Sequence, residues 1–270
     1  MACHMRKYAM EDDGAHVEKM PLEPGSRGAR RVKGTVFELF CGAGGFAEGA
    51  RYAGVTADIA VDHNRDACAS YESNLGSHPL AFDVQDLSRL AAHGWRPEGG
   101  IRLLMADPPA SPTALRTRVL AHTFSLIASL RPEHWLLASP VNISAEHPIR
   151  KGWDIDHVVL DFADFGGPEH IWTNFWYGRP YGSAKLVAPE PTHTSPKLAR
   201  QTRVDGRVLE PWAFKKSKLS SVNAVLAHHG LKTMELRGDR VSRFDQAVAA
   251  MPPVVAHAIM RSVVEQMEKR

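Results

Sequence analysis

The sequence predicts a doubly wound α/β fold, and three stretches carry that expectation. Val36 to Phe40 is an apolar run holding one acid, Glu38, and reads as a buried strand. Glycines follow at Gly42, Gly44 and Gly45, and a helical pattern runs from Phe46 to Tyr52. Strand, glycine turn and helix open a nucleotide-binding sheet: glycine lets backbone approach a ligand, and the helix start offers unpaired N–H groups. The second stretch, Ala57 to Asp62, is a strand closing on an acid placed to accept ribose hydroxyls. The third, Ile101 to Ala106, is a buried strand running into Asp107-Pro108-Pro109-Ala110-Ser111-Pro112.

The remaining elements follow in order. Asn64, Asp66 and Ala67 open a helix reaching Tyr71 and Asn74. A short strand at Ala81 leads to Asp83, and Asp86 reads as an N-cap for the turn that follows. Trp135 to Leu137 is a strand leading to Ala138-Ser139-Pro140-Val141, and Val158 to Phe165 is a strand and turn. Val255, Ile259, Val263 and Met267 recur at helical spacing near the C-terminus.

Composition narrows the class. The 270 residues hold one large domain, or a domain with a small lobe, and 44% hydrophobic content suffices for a core. A net charge of +3 and a pI near 8.8 are compatible with a nucleic-acid partner. Three cysteines, Cys3, Cys41 and Cys68, cannot all pair and lack zinc-site spacing, so no metal is expected and a reducing cytoplasm is. No 18-residue apolar run and no export signal are visible, so membrane insertion and secretion are not expected. No Gly-Lys-Ser/Thr follows the glycines, which excludes an NTPase phosphate loop.

Phe37-Glu38-Leu39-Phe40-Cys41-Gly42-Ala43-Gly44-Gly45-Phe46 resembles the first motif of the cytosine-C5 DNA methyltransferases, which holds S-adenosyl-L-methionine (SAM). The resemblance runs to about residue 267 and implies a SAM-dependent methyltransferase (Rossmann-like) sheet with a short target-recognition lobe, as in phage-type members. It implies cofactor contacts from Phe37, Cys41, Gly42, Ala43, Gly44, Gly45 and Phe46, from Asp62 and His63 toward ribose, and from Asp83 and Val84 toward adenine. Asp107, and Ala247-Val248 of a tenth-motif-like stretch, complete that set. The implied layout is a flexible leader at 1–34, a SAM-binding domain at 35–176, a basic recognition region at 177–240 and a closing segment at 241–270. In the recognition region Lys197, Arg200, Arg203, Lys215, Lys216 and Lys218 are candidates for phosphate contact with DNA, RNA staying open. The implied setting is the cytoplasm of a bacterial or phage-infected cell.

The target-base motifs depart from the family. Active members place a nucleophilic cysteine after Pro-Pro, where this chain has Ala110, with Ser111 beside it. They place the glutamate of Glu-Asn-Val where Ala138 stands, or Ser139 in a frame shifted by one. C5 of cytosine needs a covalent adduct at C6 to become nucleophilic, and alanine supplies none. The expectation is therefore a homologue binding SAM and DNA but impaired in C5 methylation. Asp107-Pro108-Pro109 also resembles the motif of amino-group methyltransferases, with Asp107 and Pro109 holding an exocyclic amine, so other SAM-dependent chemistry is one alternative. A non-catalytic partner of an active methyltransferase is the other.

Overall fold

A computed structural model describes residues 32–109, 113–139, 152–166, 172–192 and 221–269. Seven strands form one sheet: β1 (Thr35–Leu39), β2 (Ile59–Asp62), β3 (Leu80–Ala81), β4 (Ile101–Ala106), β5 (His134–Ser139), β6 (Asp154–Asp161) and β7 (Trp172–Arg179). Their order is β3-β2-β1-β4-β5-β7-β6, all parallel except β7, which runs antiparallel to both neighbours. Order reverses between β1 and β4, and open α/β sheets bind ligands at the strand carboxyl ends beside such a reversal.

Helices cover both faces: α1 (Gly45–Tyr52), α2 (Arg65–Leu75), α3 (Val84–Ala92), α4 (Thr113–Leu130), α5 (Val222–His228), α6 (Arg240–Ala249) and α7 (Pro253–Glu268). One core layer joins Val36, Met105, Leu136 and Ala138 to Phe46 of α1 and to Val255, Ile259 and Val263 of α7. The opposite layer joins Phe37, Leu39, Leu104 and Leu137 to Phe124 and Ile127 of α4. Strand alternation produces this split, since neighbouring residues face opposite sides. The helical spacing read in the C-terminal stretch is that of α7, whose buried stripe includes Val255, Ile259, Val263 and Met267.

Two expected boundaries fall inside elements. The one at 176/177 cuts β7, and the one at 240/241 cuts α6, so Tyr177 to Arg179 belong to the sheet. Gly178 of β7 faces Trp135 of β5, whose indole fills the space a side chain at Gly178 would occupy. The leader's first 31 residues lie outside the described residues, as do Ala110, Ser111, Lys197, Arg200, Arg203, Lys215, Lys216 and Lys218. Among the described residues, no single helix is long and apolar enough to cross a membrane.

Candidate cofactor site and target-base edge

The carboxyl ends of β1, β2 and β4 converge on the glycine turn. β1 leads into Phe40 at φ 58°, a left-handed conformation costing a bulky residue about 1–3 kcal/mol, which the surrounding contacts must hold. The Cys41 N–H donates to the Val61 carbonyl at 3.1 Å, tying the turn to β2. The Gly42 N–H donates to Asp62 Oδ2 at 3.0 Å, and the Asn64 N–H donates to Asp62 Oδ1 at 2.8 Å. Asp62 thus braces both the glycine turn and the start of α2.

The glycines divide by role. Gly42 (φ 53°) and Gly44 (φ 100°) adopt backbone that disfavours side chains, and a Cβ on Gly42 would come no nearer than 4.0 Å to the Phe40 carbonyl. That open space is a cradle for a ligand. Gly44 caps α1 without a side-chain hydrogen bond, leaving first-turn N–H groups for a partner. Gly45, expected at the cofactor, is explained by packing: a Cβ there would lie 2.6 Å from the Met251 carbonyl beside α7.

Other expected cofactor residues are placed as follows. Phe37 is fully buried on the far face, with its ring 6.4 Å from that of Trp95. A side-chain contact from Phe37 would require opening the core; Phe40 packs half-buried against the same cluster. Cys41, Ala43, Phe46 and Val84 are buried, and so offer a ligand backbone rather than side chain. His63 is exposed, and Asp62 beside it raises its pKa. Asp83 is exposed and caps α3, accepting from the Gln85 N–H at 2.7 Å. Asp86, read as a cap, instead lies within α3 and pairs with Arg89 at 2.9 Å. Ala247 is fully buried against Val225 and Leu231, and Val248 packs on the same cluster.

Two features were not assigned from sequence. Phe82 stands exposed beside Asp83, just after a strand too short to show a pattern. Glu38, the single acid in an apolar strand, is buried and accepts from the Tyr71 hydroxyl at 2.7 Å, while its other oxygen, Oε1, has no hydrogen-bond partner. Burial, with Asp107 and Asp62 adding to it, pushes its pKa up to about 8 against the Tyr71 bond. Burial also pushes half-buried Asp107 up to about 7.

At the target edge, Ala106 pairs with Leu137; Asp107 directly follows β4, and Ala138 continues β5. Ala138 is fully buried opposite Phe175. Ser139 is buried on the other face, and its carbonyl accepts from Asn174 Nδ2 at 3.3 Å. Asn174 Oδ1 lies 3.0 Å from His157 Nε2, and the His157 ring stacks on Trp176 at 4.6 Å. Neither frame of the missing glutamate therefore carries a carboxylate. Pro109 is exposed at the end of the described edge.

Residues 34–104, which contain the turn, Glu38 and Asp62, match the C-5 cytosine-specific DNA methylase family. Over this stretch the chain is similar to the C-5 cytosine-specific DNA methylases. It is 27% identical over 186 residues to the type II methyltransferase M.AgeI of Thalassovita gelatinovora, covering 59% of this chain and 42% of that one. The chain thus spans about two fifths of the length of that curated relative. Similar folds include a DNA modification methyltransferase from an E. coli prophage, at TM-score 0.61 and 15% identity, over 87% of this chain and 99% of that one. The Entamoeba histolytica methyltransferase EhMeth aligns at TM-score 0.62 and 12% identity, over 88% and 100%. The S. pombe Dnmt2 methyltransferase aligns at 0.57 and 13%, over 86% and 99%. These likenesses support the SAM-dependent methyltransferase fold.

Proposed function

We propose that the chain binds SAM and DNA as a C5-methyltransferase homologue that does not form 5-methylcytosine. The observation that carries the reading is the asymmetry between two edges of one sheet. At the cofactor edge, a braced glycine turn, an open cradle at Gly42 and a buried carboxyl with an unpartnered oxygen suit a cationic nucleoside ligand. At the target edge, Ala110 and Ala138 stand where the family keeps its nucleophile and its base-holding acid.

Gly42 and Gly44 would bring backbone to the ligand, Asp62 would accept from ribose, Asp83 from the adenine amino group, and Glu38 would face the positive charge. Bound SAM supplies a methyl group activated by its sulfonium. At the target edge Ala138 offers no acid to steady charge on a cytosine ring, and Ala110 no thiol to add to it. The basic residues between Lys197 and Lys218 would contact phosphates, independent of sequence.

One observation favours a second reading, amino-group methylation. Asp107 directly follows β4, in a stretch that needs neither cysteine nor glutamate to hold an exocyclic amine. Incubation with duplex DNA and methyl-labelled SAM, followed by base analysis, tests both. Calorimetric SAM binding with no labelled base supports the first reading. Labelled N6-methyladenine or N4-methylcytosine supports the second, and 5-methylcytosine above a no-protein control refutes the first. Co-purification with an active methyltransferase would assign the partner role.

A further inference from the structure

We infer that cofactor binding at the glycine turn releases a proton from Glu38 and Asp107, and that this coupling makes the site discriminate SAM from its uncharged-sulfur product. The inference rests on the SAM reading and adds a basis for selectivity to it.

Three carboxyl groups, Glu38, Asp62 and Asp107, lie at the ends of three adjacent parallel strands. Asp62 accepts from two backbone N–H donors, at 3.0 and 2.8 Å. Glu38 differs. It is only 1% exposed, one oxygen receives the Tyr71 hydroxyl at 2.7 Å, and Oε1 has no partner. A buried acceptor without a donor is costly, by about 1–3 kcal/mol, and more when charged. Every group facing Glu38 is acidic or neutral: Tyr71 from α2, Cys41 from the turn, Asp62 from β2 and Asp107 after β4. No cation faces it among the described residues.

In the free protein the cheapest state of this pocket therefore carries protons on Glu38 and in part on Asp107. A sulfonium cation changes the balance. SAM bears a net charge of +1 and S-adenosylhomocysteine bears none, the two sharing adenosine, ammonium and carboxylate. The cation stabilises the ionised carboxylates, so the protonated acid loses H⁺ to solvent and pairs its negative charge with the ligand. The product, without that charge, leaves the protons in place, and its affinity changes little with pH.

From pKa values of about 8 and about 7, roughly three quarters of Glu38 and a quarter of Asp107 are protonated at pH 7.5. Calorimetry of the intact chain at that pH, in two buffers of different ionisation heat, counts the protons released. SAM is expected to release about one half to one proton more than S-adenosylhomocysteine. Between pH 6.5 and 8.5, SAM affinity should tighten by on the order of tenfold, against less than about twofold for the product. Glu38→Gln keeps a partner for Tyr71 and should remove most of the difference; Asp107→Asn should remove the smaller part. His63 also titrates beside Asp62, and its contribution should survive Glu38→Gln. Equal proton release with both ligands overturns the inference while leaving the SAM reading intact. No heat and no thermal shift with either ligand overturns both. Should Glu38→Gln fail to fold, the wild-type comparison of the two ligands decides alone.

Discussion

Gly49→Ala tests whether α1 is positioned by packing against α7. Gly49 lies mid-helix, where alanine is the better helix former by about 1 kcal/mol, so propensity alone favours the change. The surroundings oppose it. A Cβ at position 49 would lie 2.5 Å from Ala256 Cβ and 2.9 Å from the His257 nitrogen, and closer still to the Pro253 carbonyl oxygen. Two of the three are backbone atoms, so no rotamer relieves the overlap and the helices must separate. Overpacking costs about 1–3 kcal/mol, occasionally more, and rigid neighbours place this site at the upper end. The net expectation is a loss of about 2 kcal/mol, or about 4–8 °C in melting temperature for a domain of this size. Gly76→Ala is the comparison: no atom lies within 4 Å, and the cost is only that of alanine at φ 72°. Thermal denaturation followed by circular dichroism reads both. A Gly49→Ala protein melting at or above wild type would show that α1 and α7 are not tightly apposed, and would undo the packing explanation for Gly45 as well.

Three further outcomes are expected. Asp62→Asn should weaken SAM binding by about 1.5–3 kcal/mol, the worth of a hydrogen bond to a charged group, and should increase protease cutting near the glycine turn; unchanged affinity would remove Asp62 from the site. Neutralising Lys215, Lys216 and Lys218 together should flatten the salt dependence of DNA binding by roughly 0.9 for each phosphate left without its cation, and an unaltered slope would place the phosphate-binding residues elsewhere. Raising pH from 5 to 8 should destabilise the ligand-free protein, because Glu38 has a raised pKa and the native state holds its proton where the unfolded chain has lost it; Glu38→Gln should flatten that decline in melting temperature, and equal slopes would mean Glu38 is not buried as described.

The cofactor half was legible because its signals are local. An apolar strand, a run of glycines and an acid closing the next strand sit within 28 residues, and each has a backbone reason to be there. What sequence could not supply was direction. Phe37 and Phe40 are equally aromatic on paper, but Phe37 is fully buried in the far core while Phe40, in a left-handed turn, packs only half-buried against the same cluster. Gly45 and Gly42 look alike until α7, some 200 residues later, is brought against one and not the other. Antiparallel β7 is set by long-range pairing with β5 and β6, which no local period encodes. Asp83, read for the adenine amino group, is the residue that caps α3, while Asp86, read as a cap, lies inside the helix, because only the folded helix start shows which N–H groups are left open.

The two strand ends at the target edge are linked, and that link yields a further test. Asp107 directly follows β4, and Ala138 lies on the neighbouring parallel strand β5, adjacent strands running about 4.8 Å apart. Alternation places both on the face that carries Glu38, and Asp107 is close enough to Glu38 to raise its pKa. A glutamate at 138 would therefore bring another carboxyl into a group that already holds two. At about 5 Å and an effective dielectric near 20, two unit charges repel by about 3 kcal/mol. Restoring the family's acid with Ala138→Glu alone should thus be more destabilising than burial of one carboxyl requires. In an Asp107→Asn background the same change should cost about 1–3 kcal/mol less at pH 8. At pH 5, where Asp107 keeps its proton, the coupling should shrink toward zero. A double-mutant cycle of denaturant unfolding at both pH values measures this directly. A coupling below about 0.5 kcal/mol at pH 8 would mean that the two side chains do not share a face. The outcome also governs any attempt to restore C5 chemistry. Ala110→Cys with Ala138→Glu should form little adduct with a 5-fluorocytosine duplex while Asp107 remains, because the new glutamate is either protonated or pushed aside. Adding Asp107→Asn should raise the adduct yield. Equal yields with and without Asp107 would show that Asp107 does not limit adduct formation at the rebuilt site.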